Sequence, residues 1–217
     1  MMRKISILAL SLLWSQVAYS AAGAPDPTFS GDGDGLVTTR IRSETYSGDS
    51  RASAVALQSD GKIVTAGYAR ESGGDQFALA RFTIQGTPDS SFGPSGSNGT
   101  VITDLEECTN ERIRGMVIQD DGKIVVGGYC HLTSADKDRF VIARYKTNGT
   151  LDETFSGDGK EIYDPGTAEV SAHWRINALT LQNGKILVAG YASPRHGSPL
   201  PLSGYLTGDR FVVGRFT

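Results

Sequence analysis

A short stretch of this chain is written three times. Ala56-Leu57-Gln58-Ser59-Asp60-Gly61-Lys62-Ile63-Val64 returns as Val117-Ile118-Gln119-Asp120-Asp121-Gly122-Lys123-Ile124-Val125, and again as Thr180-Leu181-Gln182-Asn183-Gly184-Lys185-Ile186-Leu187. The turn glycines Gly61, Gly122 and Gly184 therefore lie 61 and 62 residues apart. A second block, Asp75-Gln76-Phe77 with Arg81-Phe82, recurs as Asp138-Arg139-Phe140 with Arg144-Tyr145 and as Asp209-Arg210-Phe211 with Arg215-Phe216. A third, Asp26-Pro27-Thr28-Phe29, recurs at Asp89 to Phe92 and Asp152 to Phe155. Three blocks in one order at one period mark a tandem array, in which each unit buries its apolar faces against its neighbours.

Each unit reads as four strands. The first follows the Asp-x-x-Phe block, at Leu36 to Thr38, Thr100 to Thr103 and Lys160 to Tyr163. The second and third flank the Asp-Gly or Asn-Gly turn, and the fourth runs from Phe77 to Phe82 and its copies. Asn183-Gly184 is the two-residue loop of a type I′ hairpin, because both central residues must take positive φ. Ser59-Asp60-Gly61 and Asp120-Asp121-Gly122 are one residue longer and suit a type I turn closed by a left-handed glycine. The flanking strands are apolar on both faces, as in Ala54-Val55-Ala56-Leu57, so both faces need cover. Blades stacked face to face supply it. The expected fold is all-β, three four-stranded antiparallel repeats in a partial or incomplete β-propeller-like array. The units fall at about 26–88, 89–151 and 152–217, within a repeat region spanning 21–217.

Residues 1–20 read as a signal peptide. Arg3 and Lys4 precede the apolar run Ile5 to Trp14, and Val17-Ala18-Tyr19-Ser20 supplies small residues for cleavage after Ser20. No cysteine follows the run to take a lipid, and the run is short for a bilayer span. The expected location is secreted, periplasmic or cell-surface. The formal charge is −3, becoming −5 once Arg3 and Lys4 are removed. An acidic chain without a basic stripe disfavours nucleic acid and anionic membranes as partners.

The repeat pattern, Asp-x-x-Phe-Gly, then Gln-x-Asp-Gly-Lys-Ile-Val-x-x-Gly, then Phe-x-x-x-Arg-Tyr, resembles the bacterial delta-60 repeats from Asp26 to the end of the sequence. Ser30 and Ser156 stand where Gly93 keeps the glycine, and the third turn is Asn183-Gly184. The resemblance implies secreted or surface proteins with propeller-like repeats. It supplies no catalytic residues.

Up-and-down strands place the Asp-Gly hairpins and Asp-x-x-Phe links at one end of each blade, and these are near-constant between units. The opposite end carries the variable connections at 69–74, 130–137 and 192–208, where binding is expected. Cys108 and Cys130 both fall at that variable end, and export makes a disulfide the expected state, with free thiols or a metal pair as alternatives. His131, His173 and His196 fall there too, but from different units with no common offset, so no metal site and no cofactor is expected. Gly31-Asp32-Gly33-Asp34-Gly35 and Gly157-Asp158-Gly159 read as turn chemistry rather than calcium loops. Gly48-Asp49-Ser50 lacks the elbow of a serine esterase.

The recurring pairs Asp75/Arg81, Asp138/Arg144 and Asp209/Arg215 are expected to be structural, the arginines reaching Asp26, Asp89 and Asp152. A ligand site repeated once per blade is the alternative. The long third-unit loop, with Arg195, His196 and Tyr205, is the best single candidate for a specific contact. The expected function is a non-enzymatic extracytoplasmic scaffold that binds an extracellular protein or glycan through its variable loops. A secreted hydrolase or lyase at the same face is the alternative. Three units leave an apolar blade face bare at each end, to be covered by further repeats or by a second copy joined head to tail. Continuation is the favoured expectation, since the sequence stops where another linker like Asn148-Gly149-Thr150-Leu151-Asp152 would begin.

Overall fold

The computed structural model describes residues 23–41, 48–134, 136–164, 172–194 and 209–217. The expected signal peptide at 1–20 lies outside them. Eleven strands form three antiparallel sheets, with no helix among the described residues. The first sheet is β1 (Ser50–Leu57), β2 (Ile63–Glu71), β3 (Gly74–Phe82) and β4 (Thr100–Thr103). The second is β5 (Cys108–Ile118), β6 (Ile124–Leu132), β7 (Lys137–Tyr145) and β8 (Lys160–Tyr163). The third has three strands among the described residues, β9 (Ala172–Gln182), β10 (Lys185–Pro194) and β11 (Arg210–Phe216).

The sheets are offset from the sequence units. β4 follows the second Asp-x-x-Phe block but pairs with β3 of the unit before it, Leu79 opposite Val101. β8 likewise closes on β7, Ile142 opposite Glu161. Each unit thus lends its first strand to the preceding blade. The expected strand at Leu36 to Thr38 is not formed, and the offset explains it: among the described residues no earlier sheet offers those residues an edge.

The turns carry the backbone their residues favour. Asn183 and Gly184 have φ of 50° and 72°, while Gly61 and Gly122 close the longer loops at 81° and 80°. A second glycine has a different task. In all three sheets the first hairpin strand bulges by one residue, at Ser53, Arg114 and Asn177, opposite Gly67, Gly128 and Gly190. A Cβ on those glycines would lie 1.9 Å from the Arg51 carbonyl oxygen, 1.9 Å from that of Arg112 and 2.0 Å from that of Arg175. The bulge brings each arginine to the same place in its sheet.

The core lies between sheets rather than within one. Val64, Ala66, Phe77 and Leu79 of the first sheet share a buried cluster with Ile113, Met116, Ile124 and Val126 of the second. Val125, Phe140 and Ile142 on the second sheet's other face pack with Ile176, Ile186 and Val188 of the third. On the first sheet's outer face Val37, Thr39 and Ile41 line a cavity with the buried Ala78, Ala80 and Phe82, but Val55, Leu57 and the third sheet's outer face have no such cover among the described residues. Val55 and Leu57 on the first sheet are 66% and 68% exposed, and Val213 on the third is 77% exposed.

Candidate functional site

The constant end of the blades is occupied by its own side chains. Asp89 Oδ1 accepts the amide and hydroxyl of Ser91 at 3.0 and 2.7 Å, which leaves Oδ2 for Arg81 Nε at 2.9 Å and Lys62 at 3.3 Å. Asp152 repeats the pattern with Thr154, Arg144 at 2.8 Å and Lys123 at 3.3 Å. Arg81 stacks 4.6 Å over Phe92 and Arg144 4.9 Å over Phe155. Arg81 also donates to the Thr147 carbonyl at 2.6 Å, tying the first blade to the next. Burial pushes both carboxyls up, but these hydrogen bonds and cations outweigh it and bring each down to about 2. The same end holds turns in which Asp60 and Asp121 accept the amides of Lys62 and Lys123.

The opposite end differs from sheet to sheet. Cys108 and Cys130 form a disulfide with Cα atoms 5.6 Å apart, fastening the open end of the β5–β6 hairpin. Beside it, buried Glu111 accepts amides from two directions, Leu105 at 3.0 Å and Phe77 of the first sheet at 3.4 Å. Burial outweighs those bonds and raises its carboxyl to about 7. Sequence reading missed Glu111, because nothing in the other two units corresponds to it.

The aspartates that open the fourth strand join neighbouring sheets. Asp75 is buried and holds Arg70 of its own sheet at 2.5 Å and Arg112 of the next at 2.6 Å. Its burial is offset by those two guanidiniums, which keep it below the usual carboxylate range. Asp138 repeats the arrangement with His131 in place of Arg70 and Arg175 in place of Arg112. His131 Nδ1 lies 3.0 Å from Oδ1, and Arg175 Nε donates to Oδ2 at 2.5 Å. His173 Nδ1 lies 3.3 Å from Oδ2 and 3.2 Å from the Asp138 amide nitrogen. A neutral ring accepts that amide; a protonated one donates to the carboxylate. Stacking thus brings together two histidines from different sequence units.

The proposed structural pairs take separate partners: Arg81 and Arg144 reach Asp89 and Asp152, while Asp75 and Asp138 reach the next sheet's arginines. The interlocking arginines Arg112 and Arg175 were missed in the sequence, although aligning the three first-hairpin strands finds Arg51, Arg112 and Arg175 at one position. Arg195, His196 and Tyr205 lie outside the described residues. Asp34 and Asp158 accept the amides of Leu36 and Lys160, as turn residues do. No group of three or more histidine, cysteine or acidic side chains suited to a metal occurs among the described residues.

Residues 58–92 and 119–155 match the family described as domain of unknown function (DUF5122) beta-propeller. Both matches begin at the glutamine before the hairpin turn and end at the phenylalanine that lies beneath an arginine, Phe92 or Phe155. This is an all-β, propeller-type architecture. No curated protein matches the chain. The disulfide, and the lack of any helix among the described residues long and apolar enough to cross a membrane, are compatible with an extracellular location.

Proposed function

We propose that this chain is a non-enzymatic, extracytoplasmic scaffold that binds a protein or glycan through the disulfide-bearing end of its blades. One observation carries the reading: the two ends are built differently. At the constant end the polar side chains repeat from blade to blade and are spent on one another. At the other end the connections differ in length and residue, and 104–107 and 133–137 expose Asp104, Glu106, Glu107 and Asp136 around the stapled hairpin. A rigid frame with dissimilar loops at one end is the usual layout of a binding module. The leader-like sequence at 1–20 supports secretion or a periplasmic or surface location.

A hydrolase reading draws on Asp138, where two imidazoles meet a carboxylate. Against it, the partners of both rings are Asp136 and Asp138, and Arg175 already neutralises the shared carboxylate. No hydroxyl or thiol is hydrogen-bonded to either ring among the described residues, so nucleophile activation has no donor. The test is a glycan array and a panel of immobilised extracellular proteins, probed with wild type and with variants at Glu106, Glu107 and Asp136. Binding should be lost in those variants and kept in Asp60→Ala and Asp121→Ala. Turnover of ester, glycoside or peptide substrates that disappears in His131→Ala or His173→Ala would overturn the proposal.

A further inference from the structure

One ion pair between neighbouring sheets recurs with fixed partners, and each of the two outer faces carries one half of it. Asp75 holds Arg112, and Asp138 holds Arg175. The third aspartate of this series is Asp209, and the third arginine is Arg51, which stands opposite Tyr68 as Arg112 stands opposite Tyr129. Both are exposed, and neither has an ion-pair partner among the described residues. The bulge at Gly67 has nonetheless brought Arg51 to the position its counterparts use. Those counterparts also stack on a tyrosine of the preceding sheet, Arg112 at 4.6 Å from Tyr68 and Arg175 at 4.4 Å from Tyr129. Tyr191 is the third such tyrosine.

The constant end repeats the same logic. Arg81 reaches Asp89 and Arg144 reaches Asp152, so Arg215 is left to match Asp26. Asp26 is already set up like the other two: Oδ1 accepts the Thr28 amide and hydroxyl at 2.9 and 2.7 Å, and among the described residues Oδ2 meets no cation. Backbone pairing has the same open halves. Arg81 and Arg144 donate their amides to the Gly99 and Gly159 carbonyls, immediately before β4 and β8. Residues 36–39 follow Gly35 in the corresponding place with no strand to pair with, while the outer edge of β11 has none beside it among the described residues.

The apolar faces match as well. Val55 and Leu57 correspond to Met116 and Ile118, which pack in the cluster between the first two sheets, and Phe211 and Val213 correspond to Phe77 and Leu79 on its other side.

We infer that these two faces are complementary halves of one interface, and that a second copy of this chain fills both by joining head to tail into a six-blade ring. Each copy supplies both halves, so two copies can satisfy each of the contacts that recur between sheets. Six blades also lies within the range in which propellers close, and head-to-tail contacts form rings when the rotation closes. In the ring, residues 36–39 of one copy complete the sheet of β11 in the other, with Val37 opposite Val213, as Val101 stands opposite Leu79.

The experiment uses the chain after removal of the leader. Light scattering at tens of micromolar should give a dimer. Asp209→Arg should weaken association at least tenfold, and adding Arg51→Asp should restore it, a rescue that general misfolding cannot produce. The double variant Val37→Cys, Val213→Cys should oxidise to a covalent dimer, since facing residues of paired strands sit within disulfide reach. A stable monomer, a bond formed within one chain, or a ladder of larger species would each overturn the two-copy ring.

Discussion

The last hairpin strands of the three sheets, β3, β7 and β11, carry similar residues at the same positions and differ in what lies beside them. Phe77 and Phe140 are 0% and 2% exposed, whereas Phe211, the third copy, is fully exposed. Leu79 and Ile142 are buried, but Val213 faces solvent. The strand sequences do not explain this, because all three read as core. A neighbour does: the second sheet covers the first, the third covers the second, and nothing described covers the third. Burial in this fold is a property of the junction between blades, so side-chain identity alone does not set the energetic weight of a position.

The largest break in that symmetry should come from the phenylalanines. Phe77→Ala is expected to cost roughly 3–5 kcal/mol in urea unfolding, while Phe211→Ala, placed in the Asp209→Arg background to hold the chain monomeric, should change stability by less than about 0.5 kcal/mol. Equal losses would mean that the third sheet is covered in the monomer.

The disulfide comes next and sharpens the contrast between hairpins, since only the second has cysteines. Cys108 and Cys130 are 22 residues apart, and Cys108→Ser with Cys130→Ser should lower stability by about 3 kcal/mol by loosening the unfolded chain's constraint. Mass spectrometry without reductant should find no alkylatable thiol.

Glu111 marks the first junction and has no counterpart at the second. Its folded carboxyl keeps its proton to about pH 7, against a usual value of 4.5. The folded state therefore binds more protons between those values, and stability should fall as pH rises through that window, then level off above it. The expected drop is roughly 2–3 kcal/mol, measured by urea unfolding at pH 5 and pH 7.5. Glu111→Gln should flatten the dependence; an unchanged slope would assign it to another group.

The smallest effect belongs to Asp89, held at about 2 by its hydrogen bonds and cations against the pull of burial. Its contribution is complete above the unfolded value near 4 and disappears as pH falls through about 2. Asp89→Asn should cost about 1 kcal/mol at pH 7, screening by solvent included, and markedly less at pH 2. Asp26→Asn in the monomeric background should show no such loss, because no arginine reaches Asp26 among the described residues.

The array was legible because its signals are local and repeated. The glycines at 61, 122 and 184 need positive φ, and that requirement is visible in sequence. Strand exchange between units was not legible. Thr100 to Thr103 reads the same whether it pairs forward or back, and only three-dimensional stacking assigns it to the sheet before. For the same reason Leu36 to Thr38 read as a strand, since its missing partner leaves no trace in its own residues. Gly67, Gly128 and Gly190 recur openly, yet their purpose, a 1.9–2.0 Å approach of the facing arginine carbonyl, depends on a bulge in another strand. The meeting of His131 and His173 at Asp138 arises because residues about a repeat apart become neighbours only when blades stack.

Hydrogen exchange along the three fourth strands tests most directly the claim that neighbours supply the burial. Amides of β3 and β7 should exchange slowly at every protein concentration, because their neighbours belong to the same chain. Those of β11 should exchange fast in Asp209→Arg and slow progressively with concentration in wild type. Protection of β11 equal to that of β3 in dilute, monomeric Asp209→Arg would contradict the account.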